Sequence, residues 1–432
     1  MKGTRVLFLS VVGLSCAFAV GCGGGSSNSS ASNSSSSNTI ATSGANVAPI
    51  AVNGGPPGAN YADAAFISVT VCTPGTTTCQ TIPNILVDTG SVGLRIISSQ
   101  LTVSLPQQNA SDGNPMAECL QFLGSYTWGP VQTAEVQIAG ETASSVPIQV
   151  LSDTTAGFPT PTSCSEPSGT LESSADTVET LGAYGILGVG TYAQDCGGGC
   201  IQADNLVGTS PPPFYYECPA GSCAPAWQNL AQQVANPVSL FATDNNGVIV
   251  ELPSVSASGQ ATATGSLVFG IGTQSNNGLG SATVYSIDYT TGNFTTTFNT
   301  TTFSDRSFID SGSNGYFFPD SSITACPTGE NATAPGFYCP SSTLNLTATN
   351  EGAAYQATPT GSGTVNFSIE NAINLFQTSD EAFNDLGGGE VSDGSGASNY
   401  FDWGLPFFFG RNVYVSIYGA TAPGGTTPYW AY

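Results

Sequence analysis

Two short stretches of this chain carry the residue types that could do chemistry. The first is Ile85-Leu86-Val87-Asp88-Thr89-Gly90-Ser91-Val92-Gly93-Leu94-Arg95-Ile96. The second is Ser307-Phe308-Ile309-Asp310-Ser311-Gly312-Ser313-Asn314-Gly315-Tyr316-Phe317-Phe318. In each, an apolar strand delivers an Asp, and a hydroxyl residue, a Gly and a Ser follow. An apolar strand buries the carboxyl at its end, and the Gly permits a tight turn and close approach of another backbone. Two buried carboxyls brought side by side cannot both ionise, so they share a proton. Such a pair holds a base and an acid at one place, which suits activation of a water molecule.

The rest of the composition removes most rivals. The 432 residues include no His, which excludes Ser-His-Asp and Cys-His catalysis and histidine metal sites. The only Lys is Lys2, so a P-loop lysine and a Schiff-base lysine are excluded too. The 29 acidic residues against 5 basic ones repel phosphate backbones, so no nucleic-acid partner is expected. No cofactor and no metal site are expected either. The Cys spacing does not form paired CxxC knuckles, and the loops Asp195–Cys200 and Asp244–Gly247 lack calcium-loop spacing and read as turns.

The N-terminus reads as an export signal over residues 1–22. Lys2 and Arg5 precede the apolar run Val6–Val20. That run is shorter than the ~20 residues of a membrane span. Ala19-Val20-Gly21-Cys22 resembles a bacterial lipobox, which implies lipidation of Cys22 and a lipid-anchored protein of the cell envelope. Gly after the lipidated Cys implies outer-membrane sorting. Residues 23–46 are mostly Gly, Ser, Asn and Ala and predict a flexible tether. Only Arg95, Arg306 and Arg411 then remain basic, and among so many acids they are expected to sit in structural salt bridges. The acidic balance suits a mildly acidic medium, and equally a soluble acidic surface.

Of 12 Cys, Cys16 leaves with the signal and Cys22 is the lipid site. The remainder form local couples, Cys72/Cys79, Cys196/Cys200, Cys218/Cys223 and Cys326/Cys339, with Cys119 and Cys164 left for each other. In an exported chain this predicts five disulfides that staple loops.

The elements that must position the two Asp residues read mainly as β. Ala64–Val71 with Gln80–Val87, and Ala134–Gly140 with Val146–Leu151, predict hairpins. Val248–Leu252, Gly265–Gly270, Ala282–Tyr289 and Asn293–Phe298 continue the pattern, and Ala226–Ala235 and Ser379–Leu386 are the helix candidates. Each Asp loop follows a hairpin candidate. Each is also echoed further on by an apolar-Gly element, Tyr184–Gly190 after the first and Phe401–Pro406 after the second. The same order at similar spacing argues for an internal duplication.

With both motifs and both echoes in place, residues 60–420 resemble the pepsin-like aspartic peptidases. The resemblance implies a mainly β, bilobal double barrel with few short helices. The N-terminal lobe would span 47–240 with Asp88, and the C-terminal lobe 241–432 with Asp310. It implies peptide hydrolysis by an Asp88/Asp310 pair on a peptide or protein bound between the lobes of a monomer. Thr89 and Ser311 would bond across to the opposite loop, and Ser91 and Ser313 would bond the carboxylates, with Gly90 and Gly312 at the turns. The flap region falls at Cys119–Gly129, where the family's Tyr-Gly pair is absent. Tyr126 is the first flap candidate, with Phe122 and Trp128 as alternatives. Trp403 and Leu405 stand where the family often shows Leu and Asp. These departures keep open a second expectation, a surface binding or inhibitor-like lipoprotein that retains the fold without turnover.

Overall fold

The computed structural model describes residues 38–432, apart from residues 60, 111, 123–124, 153–156, 168, 170, 203–208, 330–331, 354–360 and 390–398. The signal, Cys22 and residues 23–37 of the tether lie outside the described residues. The protein is mainly β. Among the described residues the α-helices are short: Thr162–Ser165, Val178–Leu181 and Ala372–Phe376.

Among the described residues two sheets carry the fold, one of 16 strands and one of 7. Asp88 ends the Cys79–Asp88 strand of the larger sheet. Asp310 follows the Thr301–Ile309 strand of the smaller one. The expected hairpins form: Ala65–Cys72 pairs with Cys79–Asp88, and Ser125–Ile138 with Glu141–Leu151. The larger sheet also runs across the expected division at residue 240, because Val47–Val52 pairs antiparallel with Ala263–Phe269.

Each Asp loop is built on the same frame. In the first, the echo strand Gly185–Val189 lies parallel to the strand before Asp88 and antiparallel to Val92–Ile97 after it. In the second, Phe401–Trp403 lies parallel to the strand before Asp310 and antiparallel to Tyr316–Phe317 after it. Both central strands are buried along their whole length, as strands covered on both faces must be. Aromatic side chains fill the space behind the second loop. Phe401 stacks on Phe318 at 4.8 Å and packs against Trp403 at 4.5 Å.

All five expected disulfides are present, Cys72–Cys79, Cys119–Cys164, Cys196–Cys200, Cys218–Cys223 and Cys326–Cys339. Both helix candidates fail. Ala226–Ala235 contains only the 3-10 turn Leu230–Gln232. Its Val234 N–H donates to the Tyr215 hydroxyl, and Gln233 is buried with its amide on Gly197 and Gln228 carbonyls. Ser379–Leu386 is held open because Ala382 bridges Gln260 and the Phe383 N–H donates to Asp63 Oδ1. Helix propensity is a weak prior, and these tertiary partners override it. The tether also ends earlier than expected. Asn38 donates to the carbonyls of Leu252 and Arg411, Ala41 bonds Glu251, and Asn46 is buried. Residues 38–46 are therefore docked on the sheet.

Candidate active site

The two loops meet. A Cβ added at Gly90 would lie 2.6 Å from the Asp310 carboxyl, and one added at Gly312 would lie 2.7 Å from that of Asp88. Only glycine allows this approach. Thr89 and Ser311 lock the loops reciprocally. The Ser311 N–H donates to Thr89 Oγ1 at 2.9 Å, and Thr89 Oγ1 donates to the Ile309 carbonyl at 2.9 Å. The Thr89 N–H donates to Ser311 Oγ at 3.1 Å, and Ser311 Oγ donates to the Val87 carbonyl at 2.7 Å.

Within each loop the carboxyl is held twice. Asp88 Oδ1 accepts from the Gly90 N–H at 2.8 Å and Oδ2 from Ser91 Oγ at 2.5 Å. Asp310 Oδ1 accepts from the Gly312 N–H at 2.8 Å and Oδ2 from Ser313 Oγ at 2.9 Å. Asp88 and Asp310 are 1% and 0% exposed, and their side chains lie within hydrogen-bond reach of each other. Burial, then the Asp88 charge, then Asp402 push the Asp310 carboxyl well above the usual carboxylate range. The structure thus brings together Asp88, Thr89, Gly90, Ser91, Asp310, Ser311, Gly312 and Ser313. The arrangement can hold one proton between two carboxylates whose oxygens are each anchored by the N–H and hydroxyl donors of their own loop.

The flap candidates lie on the strands of one hairpin. Met116–Phe122 and Ser125–Ile138 do form a hairpin, but its tip, residues 123–124, lies outside the described residues. Phe122 packs with Leu86, Leu120 and Ile186. Tyr126 and Trp128 pack with Cys119, Cys164 and Tyr216, and Trp128 Nε1 donates to the Phe158 carbonyl. The three rings are buried in packing clusters.

Of the three arginines expected in salt bridges, one forms them among the described residues. Arg95 is fully buried and pairs with Glu118 at 2.5 Å and Asp195 at 3.0 Å. Burial works against its charge, but the two acids outweigh it and hold the guanidinium charged. Gln149 completes the group, accepting from Arg95 Nε and Thr127 and donating to the Glu118 carbonyl. Because Glu118 belongs to the hairpin, this cluster ties the hairpin to the strand after the Asp88 loop. Arg306 and Arg411 make no ion pair among the described residues. Their guanidinium carbons lie over the rings of Tyr400 at 5.4 Å and Phe407 at 4.4 Å. Aromatic faces accept cations, and the composition alone does not distinguish them from carboxylates.

One residue of the site escaped the sequence reading. Asp402 occurs in the second echo, where the first has Ile186, and the register places it opposite Phe308 and Phe317. It is 0% exposed, and neither carboxyl oxygen has a hydrogen-bond partner. The signal was a charged residue inside an otherwise apolar element.

A comparison with curated proteins finds no match. Residues 42–432 match the family described as "Protein of unknown function (DUF3443)", and the chain belongs to that family.

Proposed function

We propose that this protein is an aspartic endopeptidase of the pepsin-like kind, bilobal, with one catalytic Asp from each lobe. The observation that carries the reading is the reciprocal lock of Thr89 and Ser311, which presents two buried carboxyls to each other. The ionised member of the pair takes a proton from a water molecule. The water oxygen bonds the scissile carbonyl carbon, whose oxygen is polarised by the protonated member. As the C–N bond breaks, the leaving nitrogen takes a proton and the products are an acid and an amine. Ser91 and Ser313 hold the outer oxygens, so each carboxyl keeps the orientation this exchange needs.

The lipobox-like Ala19–Cys22 and the apolar run before it support an envelope protein anchored by lipid, monomeric, with a peptide or protein as its partner. No helix among the described residues is long and apolar enough to cross a membrane. A second reading is favoured by one observation: Phe122, Tyr126 and Trp128 are committed to packing. In that reading the chain keeps the frame and binds peptides without cleaving them. Incubating the purified protein with a mixed peptide library from about pH 3 to 7, with and without a statine-type inhibitor, separates the two. Inhibitor-sensitive cleavage is expected. Peptide capture with no cleavage at any pH sinks the peptidase reading and leaves the binder.

A further inference from the structure

The two loops differ in what stands behind their serines. Behind Ser91 the echo strand supplies Ile186, which packs into an apolar cluster. Behind Ser313 it supplies Asp402, and Ser313 is the hydroxyl that bears on that carboxyl, although no hydrogen bond joins the two. Ser313 has a single hydrogen, and it goes to Asp310 Oδ2. Its oxygen keeps lone pairs free. A carboxyl sealed beside Phe308 and Phe317 with no partner on either oxygen is costly as an anion. The ionisable groups that face it are the acids Asp88 and Asp310. Neither ion pair among the described residues includes it. Its one outlet is to keep its proton and donate it to Ser313.

We propose that Asp402 is a positioning residue of this site, a neutral carboxyl that donates to Ser313 Oγ so that Ser313 donates more strongly to Asp310. The inference rests on the peptidase reading for its purpose but not for its chemistry. Burial, with the Asp88 charge adding to it, holds the Asp402 proton on well above the ordinary carboxylate range, against the opposing effect of Ser313. Chained hydrogen bonds polarise one another. The relay therefore stabilises the singly ionised pair and lets it survive to lower pH. The first loop, with Ile186, has no such donor, so the site is asymmetric although its backbone is not.

The test uses the full chain and three substitutions. Asp402→Asn keeps an N–H donor in the same volume, Asp402→Ile copies the residue of the first loop, and Ser313→Ala removes the middle of the relay. Cleavage by Asp402→Asn should stay within about threefold of the parent, with its acid limb unmoved. Asp402→Ile should raise the acid limb by about one pH unit. Ser313→Ala should do the same, and combining the two should add nothing further. Asn and Ile variants sharing the parent's acid limb would overturn the relay. A second readout needs no activity. With carboxyl-labelled Asp, infrared spectra at about pH 6 should contain a protonated-carboxyl band that disappears in Asp402→Asn and persists in Asp88→Asn. Absence of that band overturns the proposal whatever the cleavage results. Its presence in a protein that cleaves nothing supports the relay and removes only the peptidase reading.

Discussion

The Asp88 and Asp310 half-sites share a backbone and differ in where they bury charge. Counting from each Asp, Arg95 and Phe317 fall at the same position. Arg95 faces Ile186 across its strand pair, and Phe317 faces Asp402 across the corresponding pair. One half therefore sets a cation against an aliphatic residue, and the other an aromatic residue against a carboxyl. The cation is compensated by Glu118 and Asp195, while the carboxyl has no counter-ion among the described residues. The repeated frame holds the hydrogen bonds that orient the pair, while the charges behind them differ. The frame follows from backbone needs, which both copies share. The buried charges follow from what packs behind each loop, which they do not.

The sharpest way to break this comparison is to remove one carboxyl at a time. Asp88→Asn and Asp310→Asn should each lower turnover by about 1000-fold or more, since either loss removes the shared proton chemistry. The double substitution should be no worse than either alone, because the residues act as one unit. Circular dichroism should show the fold retained. A variant that keeps substantial cleavage would show that the halves are not equal partners.

The next effect separates the halves. Replacing Arg95 by Met leaves Glu118 and Asp195 buried without their cation, while Asp195 already sits well above its usual range through burial and the Glu118 charge. Denaturant unfolding should register a loss of about 3–5 kcal/mol. The same change at Arg306, exposed above Tyr400, should cost less than about 1 kcal/mol. Equal costs would mean that the buried cluster does not anchor the first half.

The sequence displays the part of this that the backbone dictates. Asp, hydroxyl, Gly and Ser recur in both loops because each has a geometric duty there, and Gly90 and Gly312 leave no room for any other residue. The mainly β pattern and the local Cys couples were legible for the same reason: their cause lies within a few residues. Asp402 was in plain view in the second echo, yet its burial depends on register with Phe308 and Phe317, which are distant in sequence. The same holds for Ala226–Ala235, whose donors are claimed by Tyr215 and whose acceptors by Gln233. Residues 38–46 look like tether by composition, and only their partners at Glu251, Leu252 and Arg411 reveal that they dock.

Buried carboxyls make the second half respond to pH, in the same sense as Asp195 in the first. Asp385, without partners on either oxygen, is pushed up to about 7, first by burial and then by the Glu370 charge. Its unfolded counterpart titrates near the ordinary value of 3.8. Between those values the native protein holds the proton and the unfolded chain does not. The contribution of Asp385 is therefore complete below about pH 4 and is lost as pH rises through about 7. Asp310 and Asp402 act in the same sense. Thermal melts should show higher stability at pH 4 than at pH 7, and Asp385→Asn should flatten that slope. A parent protein more stable at pH 7 would contradict the burial argument.

The smallest effect tests the symmetry itself. Thr89 Oγ1 accepts one N–H from the opposite loop and donates to the Ile309 carbonyl; Ser311 Oγ accepts one N–H and donates to the Val87 carbonyl. All of these atoms are buried in residues of 2% exposure or less. Removing either hydroxyl leaves one N–H and one carbonyl without a partner, at a cost of about 1–3 kcal/mol. Thr89→Ala and Ser311→Ala should therefore cost the same within about 0.5 kcal/mol, once the extra methyl of Thr is matched by measuring Thr89→Ser as the reference. The two changes should not add, because each hydroxyl donates to the strand that carries the other. If the Ser311 change is clearly dearer, the lock is asymmetric, and the divergence seen behind the loops reaches the interface between them. If the two agree, the repeated backbone is symmetric where the two loops meet, and the differences at Arg95 and Asp402 are confined to what lies behind it.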